Sequence, residues 1–391
     1  MLDILWLPAD NGGCGFYRMI QPSYSLQKFG IANSILALKG NYKELDMFLD
    51  ACNVFIVQRA LWCTSREDYQ NSHPKTLTVM DIDDNMEDTS PFSSHYKGHG
   101  LKEVIIDDPT GFWTEQAKKR GQLDRILPNG QVYLWKDKED GLDIKANFER
   151  KAQFHEAIKN MDMIMTSTDP LRSHYKGLNH NIHVMPNCVD LEYWQPSDTQ
   201  TKEVRIGWHG GPSHYEDWVD YLDVVERVTK KYPQVKWVIC GELFPILEKI
   251  IPPNQIEHHL WVHVMAHPYF QRLLKLDIAF VPLKDSEFNR CKSDIKFVEF
   301  SSMGVPCVTS KVTPYRETCG PANLALMGST PKEVEDQLSR FIESPELRRE
   351  YGDRARQWVE ENRSTKVIAP KYLELFEKQL EKKVNKSCLI V

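Results

Sequence analysis

The sequence predicts an α/β fold of two facing Rossmann-like domains with a cleft between them and helices at the C-terminal end. Three observations carry this. Short apolar or β-branched runs alternate with helical patterns along most of the chain, the signature of parallel α/β layering. A polar, aperiodic stretch led by proline, 196–202, divides the alternation into two series. Each series opens with a strand that runs into a glycine-rich turn, and open α/β sheets bind ligands at that end of their strands.

At 391 residues the chain is long enough for two domains that each bury a core. In the first, 1–195, strands are expected at 2–7, 31–37, 54–58, 77–82, 163–167 and 183–185. Between about 90 and 147 the alternation lapses into Gly, Pro, Asp and aromatic residues, an irregular insertion of the kind that carries function. In the second domain, 204–365, strands are expected at 204–208, 235–240, 260–264, 278–283 and 307–309. The region 331–386 is helical by composition, with breaks near Pro345 and Pro370. The last segment, 366–391, is expected to pack back toward the first domain.

Composition excludes several classes. With 41% hydrophobic and 27% charged residues the chain is globular, not disordered or fibrous. No window approaches the ~20 apolar residues of a membrane span, so no integral membrane association is expected. The first residues lack a basic region and a small-residue cleavage site, and they read as a strand instead of a signal peptide. A net charge of −6 argues against a generally basic nucleic-acid coat but leaves room for a local basic groove. The nine cysteines are scattered, without C-x-x-C pairs or Cys/His clusters. They read as buried free thiols of a cytoplasmic protein.

Three segments carry chemistry. After the first strand comes Asp10-Asn11-Gly12-Gly13-Cys14-Gly15-Phe16-Tyr17-Arg18. Its glycines let a ligand approach the backbone, and a helix beginning near Cys14 offers N–H groups to an anion. The spacing is not G-x-G-x-x-G, and a tight turn without ligand is the alternative. The second domain opens with Gly207-Trp208-His209-Gly210-Gly211-Pro212-Ser213-His214, where His209 and His214 are placed to donate to a phosphate or leaving-group oxygen. The third segment reads strand, loop, helix, glycine stop and strand over 276–308. In it Lys292, Lys296 and Glu299 are spaced i, i+4, i+7 and so share a helix face. Arg290 and Lys292 at that helix's start oppose the macrodipole unless an anion sits there. A diphosphate resolves the conflict, and Glu299 is then placed to accept ribose hydroxyls.

This third segment resembles the retaining GT-B glycosyltransferases of family 4, whose second domain carries a Glu-x7-Glu helix followed by a Gly-x-Pro strand. Glu299, Gly304 and Pro306 align, while Cys291 replaces the first glutamate. The segment Met185-Pro186-Asn187-Cys188-Val189-Asp190 is similar to the family's Pro-Asn-Gly-Val-Asp element, with Cys188 in place of glycine. The resemblance implies transfer of a sugar from a nucleoside diphosphate, UDP most of all, to a hydroxyl acceptor with retention. It requires no cofactor beyond that donor, and no metal. The implied donor contacts are Gly12, Gly13, Gly210, Gly211, Arg290, Lys292, Ser293, Lys296 and Glu299.

Asp81, Asp83 and Asp84 form an Asp-x-Asp-Asp run at a strand end. In the other glycosyltransferase architecture such a run holds a divalent ion, but here the three read as carboxylates lining the cleft. Asp81, Asp83 and His214 are the catalytic candidates, and Tyr17, Arg18, Arg59 and Asp84 the acceptor-binding ones. The aromatic-rich insertion resembles enzymes of bacterial and bacteriophage type. Basic and aromatic residues interleave at Arg59, Trp62, Arg66, Tyr69, Tyr96, Lys97, Lys118, Lys119 and Arg120, so DNA carrying a hydroxymethylated base is one expected acceptor. A cell-surface glycan or small molecule is the other. A GT-B isomerase or phosphorylase, or an inactive sugar-nucleotide-binding protein, are the competing readings. The terminal Cys388-Leu389-Ile390-Val391 has the form of a prenylation box, against the plainer reading of a frayed basic helix end.

Overall fold

The computed structural model describes residues 1–37, 45–59, 73–108, 111–197 and 202–388. Trp62, Arg66 and Tyr69 of the interleaved strip and residues 389–391 of the terminal box lie outside them.

The first domain holds β1 (Asp3–Leu7), β2 (Asn33–Leu36), β3 (Val54–Gln58), β4 (Leu77–Ile82), β5 (Val104–Ile106), β6 (Val132–Trp135), β7 (Met163–Thr166) and β8 (Ile182–Val184). Six of these form one parallel sheet in the order β2-β1-β3-β4-β7-β8. β5 and β6 make a separate antiparallel pair inside the insertion. The second domain holds β9 (Val204–Gly210), β10 (Val235–Gly241), β11 (Ile256–His259), β12 (Ile278–Val281), β13 (Cys307–Ser310) and β14 (Leu326–Gly328). They form a second parallel sheet, β11-β10-β9-β12-β13-β14. Strand order reverses beside β1 in the first sheet and beside β9 in the second, so each ligand crevice opens where a glycine turn begins.

The inner strands of each sheet are buried on both faces, which is why they read as continuous apolar runs. In the first sheet Leu5, Leu7, Val57 and Ile82 pack on one face, and Ile4, Trp6, Ile56 and Val79 on the other. The helix Thr365–Cys388 covers that second face: Tyr372 and Phe376 meet the Trp6 ring edge-on at 5.7 and 6.4 Å. Lys383 of the same helix pairs with Asp162 at 2.7 Å. Under β9 lies an aromatic core in which Trp218 meets Trp208 and Phe280, each at 5.4 Å.

Four sequence expectations need correction. The strand expected at 260–264 lies earlier, at β11, where Ile256–His259 pair with Trp237–Cys240. The apolar run beyond leaves the sheet, with Leu260 78% exposed and Trp261 turned to the cleft. β14 was not anticipated, because three residues show no period. Pro370 does not break its helix; burial of Ile368, Ala369 and Tyr372 outweighs the hydrogen bond that proline removes. The helix bearing Glu299 starts at Ile295, so Lys292 precedes it and the expected shared face reduces to Lys296 and Glu299.

Candidate active site in the interdomain cleft

A cavity of about 300 Å³ opens between the two sheets. Gly13 and Cys14 come to it from the end of β1, and Asp83 and Asp84 from the end of β4. Gly210, Gly211, Ser213 and His214 follow β9; Lys292, Ser293, Lys296 and Glu299 lie between β12 and β13. The segment after β12 is held in place by Asp294, whose carboxylate takes two bonds from Arg363 at 3.1 and 2.7 Å and one from Thr318 at 2.6 Å. Asn187 donates to Ser293 Oγ at 2.9 Å and ties the first domain to this wall.

The cationic side is built as a chain. Asp217 Oδ1 accepts from the Lys284 backbone N–H at 2.8 Å and from Asn289 Nδ2 at 2.7 Å, which fixes the carboxylate. Its Oδ2 lies 2.6 Å from His214 Nδ1, and His214 Nε2 lies 2.8 Å from Lys296 Nζ. Burial, with Lys292 and Lys296 beside it, holds His214 down at about 3. The imidazole is therefore neutral at pH 7, donating through Nδ1–H to Asp217 and accepting from Lys296. Burial and neighbouring Lys292 bring Lys296 down to about 7, so its charge sits at a balance point that a bound anion shifts toward the ammonium. The same ammonium lies 5.1 Å from the centre of the Trp208 ring.

One turn further along the same helix face stands Glu299. Its carboxylate accepts from the Tyr17 hydroxyl and lies 3.1 Å from His209 Nε2. Burial opposes its charge, but His209 and Tyr17 outweigh that and keep the carboxyl below its usual value. His267 completes the corner, 2% exposed, with neither ring nitrogen hydrogen-bonded among the described residues. His209, His267 and Glu299 each offer one ligand atom within 4.8 Å of the others, and among the described residues they are the group arranged to hold a metal ion.

The remaining sequence candidates divide. Asp83 lies 3.1 Å from Arg59 Nε. Asp84 lines the cavity and is pushed up to about 6, by burial first and Asp83 next, against Lys292. Tyr17 and Arg18 reach the same cavity as Glu299. Four candidates stand elsewhere. Arg59 is held by Asp10 and Asp83 and lines a separate pocket with Glu87 and His99. Asp81 is fully buried in a two-bond pair with Arg18, at 3.0 and 2.6 Å, and does not line the cavity. Arg18 also donates to the Met185 carbonyl and to Asn187 Oδ1, so Asp81 serves to fix that cluster. Gly12 lies outside the lining, because its N–H and that of Gly15 both donate to Asp10 Oδ1. Arg290 ends the short helix Glu287–Cys291 and is occupied by Asp285 and Glu287 on the exposed side. Cys291 is buried among first-domain side chains and does not reach the cavity.

Sequence reasoning missed Asp217, His267 and Trp261 as parts of the site. Asp217 was legible as the i+3 partner of His214 on a helical turn. His267 and Trp261 carried no usable signal, since the segment before them read as a strand.

No family model matches the chain, and no curated protein matches it in sequence. Solved structures do match in shape. HepE of Anabaena bound to UDP and glucose superposes with a TM-score of 0.61 at 9% identity, over 97% of this chain and 100% of that one. Sucrose-phosphate synthase of Thermosynechococcus elongatus gives 0.60 at 10% identity, over 98% and 100%. An α-glucosyltransferase bound to UDP and a 13-mer DNA with an HMU base gives 0.58 at 11% identity, over 96% and 99%. The chain thus has the GT-B architecture of these glycosyltransferases, two Rossmann-like domains facing across a cleft.

Proposed function

We propose that the protein is a glycosyltransferase that takes a sugar from UDP and transfers it to an acceptor hydroxyl with retention. The observation that carries this reading is the charge set in one cavity: Lys292 and Lys296, with Glu299 one helical turn beyond Lys296 on the same face, beside the glycines that end β9. The cations suit a diphosphate, and the carboxylate suits the two hydroxyls of a ribose. Neighbours of the same fold have been solved with UDP or UDP-glucose in them, which supports the nucleotide. The bond from the anomeric carbon to the diphosphate oxygen breaks as the acceptor oxygen bonds that carbon, and the acceptor proton leaves with the diphosphate. Lys296 and Lys292 stabilise the departing charge, so no metal is needed. Asp84 faces the same space and is assigned to the acceptor. Among the described residues no helix is long and apolar enough to cross a membrane. Of the cysteines Cys14, Cys52, Cys188, Cys240, Cys291, Cys307 and Cys319, all are free and all but Cys14 are buried, which favours a reducing, cytoplasmic setting.

The test is release of diphosphate from a panel of nucleoside-diphosphate sugars, with and without EDTA, beside Glu299→Ala. EDTA-resistant release from a UDP-sugar, lost in the variant, is expected. Release that EDTA abolishes and zinc restores moves the chemistry to His209, His267 and Glu299. No release from any donor, with no donor binding, sinks the reading.

A further inference from the structure

A second, larger cavity of about 460 Å³ lies in the insertion between residues 91 and 140. Phe92, Trp113, Tyr133 and Trp135 line it, and so do Lys97 and Arg120. The aromatic walls are braced. Phe92 and Trp113 meet at a tilt, 5.8 Å apart, and both rest on Tyr215 of the second domain, Phe92 tilted at 5.3 Å and Trp113 edge-on at 5.8 Å. Trp135 Nε1–H donates to the Pro91 carbonyl at 2.5 Å. The charges are unequal. Asp140 at the edge is neutralised by Arg125 at 2.8 Å, and Arg125 is shared with Glu139. Lys97 and Arg120 have no ion-pair partner among the described residues, on a protein whose net charge is −6. Pro212 lines this cavity, while its neighbours Gly211 and Ser213 line the donor cavity, so one loop separates the two spaces.

We propose that this cavity binds the acceptor, and that the acceptor is a nucleic-acid strand with an unstacked base among the aromatic walls and phosphates on Lys97 and Arg120. The inference rests on the transferase reading above and names its substrate class. Flat aromatic walls accept any nucleobase face, and cations without partners accept the phosphates that flank it. A neutral glycan would use the rings but leave both cations unmatched. A base-free polyanion would use the cations but not the four rings. The loop shared by the two cavities sets these walls beside the donor cavity, which Asp84 also lines.

The test is fluorescence anisotropy with a labelled single-stranded oligonucleotide, a base-free polyol-phosphate polymer and a neutral oligosaccharide, over a range of salt. The oligonucleotide is expected to bind tighter than either competitor. Arg120→Glu and Lys97→Glu should each weaken it about tenfold and each lower the salt slope by about one. Tyr133→Ala should weaken it about 5- to 150-fold with the salt slope unchanged, because stacking releases no counterions. Equal binding of the base-free polymer, or an unchanged slope in both charge reversals, overturns the assignment. UDP release by the unaltered protein without oligonucleotide binding defeats the acceptor assignment and leaves the transferase reading intact. Oligonucleotide binding with these slopes but no turnover of any donor supports the site while the transferase reading falls.

Discussion

The two glycine-rich turns that open the two domains look alike in sequence and are used differently. In the first, Asp10 turns back and takes the N–H groups of Gly12 and Gly15, at 2.8 and 3.2 Å, and its other oxygen holds Arg59 at 2.7 Å. The turn supplies its own anion. In the second, no side chain caps the short helical turn Pro212–His214; Asp217 holds the far side of the His214 ring, and the charge that His214 presents in the cavity is a cation, Lys296. Glycines give both turns the same openness, but the charge placed against them decides whether a phosphate is welcome. A glycine pattern alone therefore marks a place where backbone and ligand approach closely, not the ligand's sign.

If that contrast is right, the largest loss comes from the second turn's cation. Lys296→Ala should lower kcat/KM for the donor by ~10²–10³, the usual loss for removing a donor that stabilises developing charge. A loss under about threefold, measured as initial rates of diphosphate release, would break the comparison.

Next in size is a structural effect at the first turn. A Cβ on Gly15 would lie 1.8 Å from the Asp10 carbonyl oxygen, whereas one on Gly13 meets nothing within 4 Å. Gly15→Ala should cost ~1–3 kcal/mol of stability, the range for a forced steric intrusion. Gly13→Ala should leave the denaturation midpoint nearly unchanged. Equal midpoints for the two variants in urea would contradict the description of that turn.

Smaller still is the effect of loosening the chain behind Lys296. Asp217→Asn removes the charge that holds the His214 tautomer, and donor affinity should fall about tenfold, the ~1.5 kcal/mol expected of one charge-assisted bond. Calorimetric titration with UDP reads this directly, and unchanged affinity would show that Lys296 needs no such support.

The last prediction concerns pH. Lys296 lies near 7, lowered by burial and Lys292 and opposed by Asp217 and Glu299. The diphosphate needs its charged form, so kcat/KM for the donor should fall as pH rises through about 7. Asp84, raised to about 6, should impose a fall on the acid side if its ionised form positions the acceptor. Lys296→Arg should carry the alkaline fall out of range, and Asp84→Asn should remove the acid one. An alkaline limb that survives in Lys296→Arg assigns it to another group.

The inner strands of both sheets were legible because they are buried on two faces and so read as unbroken apolar runs; Val54–Gln58 and Leu77–Ile82 lie where the sequence set them. The edge strand Ile256–His259 was not, since its polar alternation is weaker than the apolar loop that follows. Lys292, Lys296 and Glu299 were legible by residue type and all three line one cavity, although only Lys296 and Glu299 share the helix face that the spacing predicts. Arg290 carried the same signal and faces away, because the chain turns between Cys291 and Ile295 and local charge pairs claim it first.

By itself, then, the sequence determined the layered α/β architecture and the places where backbone can meet a ligand, since periodicity and glycine placement are local properties. The tertiary structure alone decided which charges stand against those places. Asp10 and Asp217 are both acids beside a glycine turn, yet one fills its turn and the other anchors the histidine that holds a lysine in the cavity. That difference depends on groups 49 and 82 residues apart, Asp10 with Arg59 and His214 with Lys296, and no local pattern encodes it.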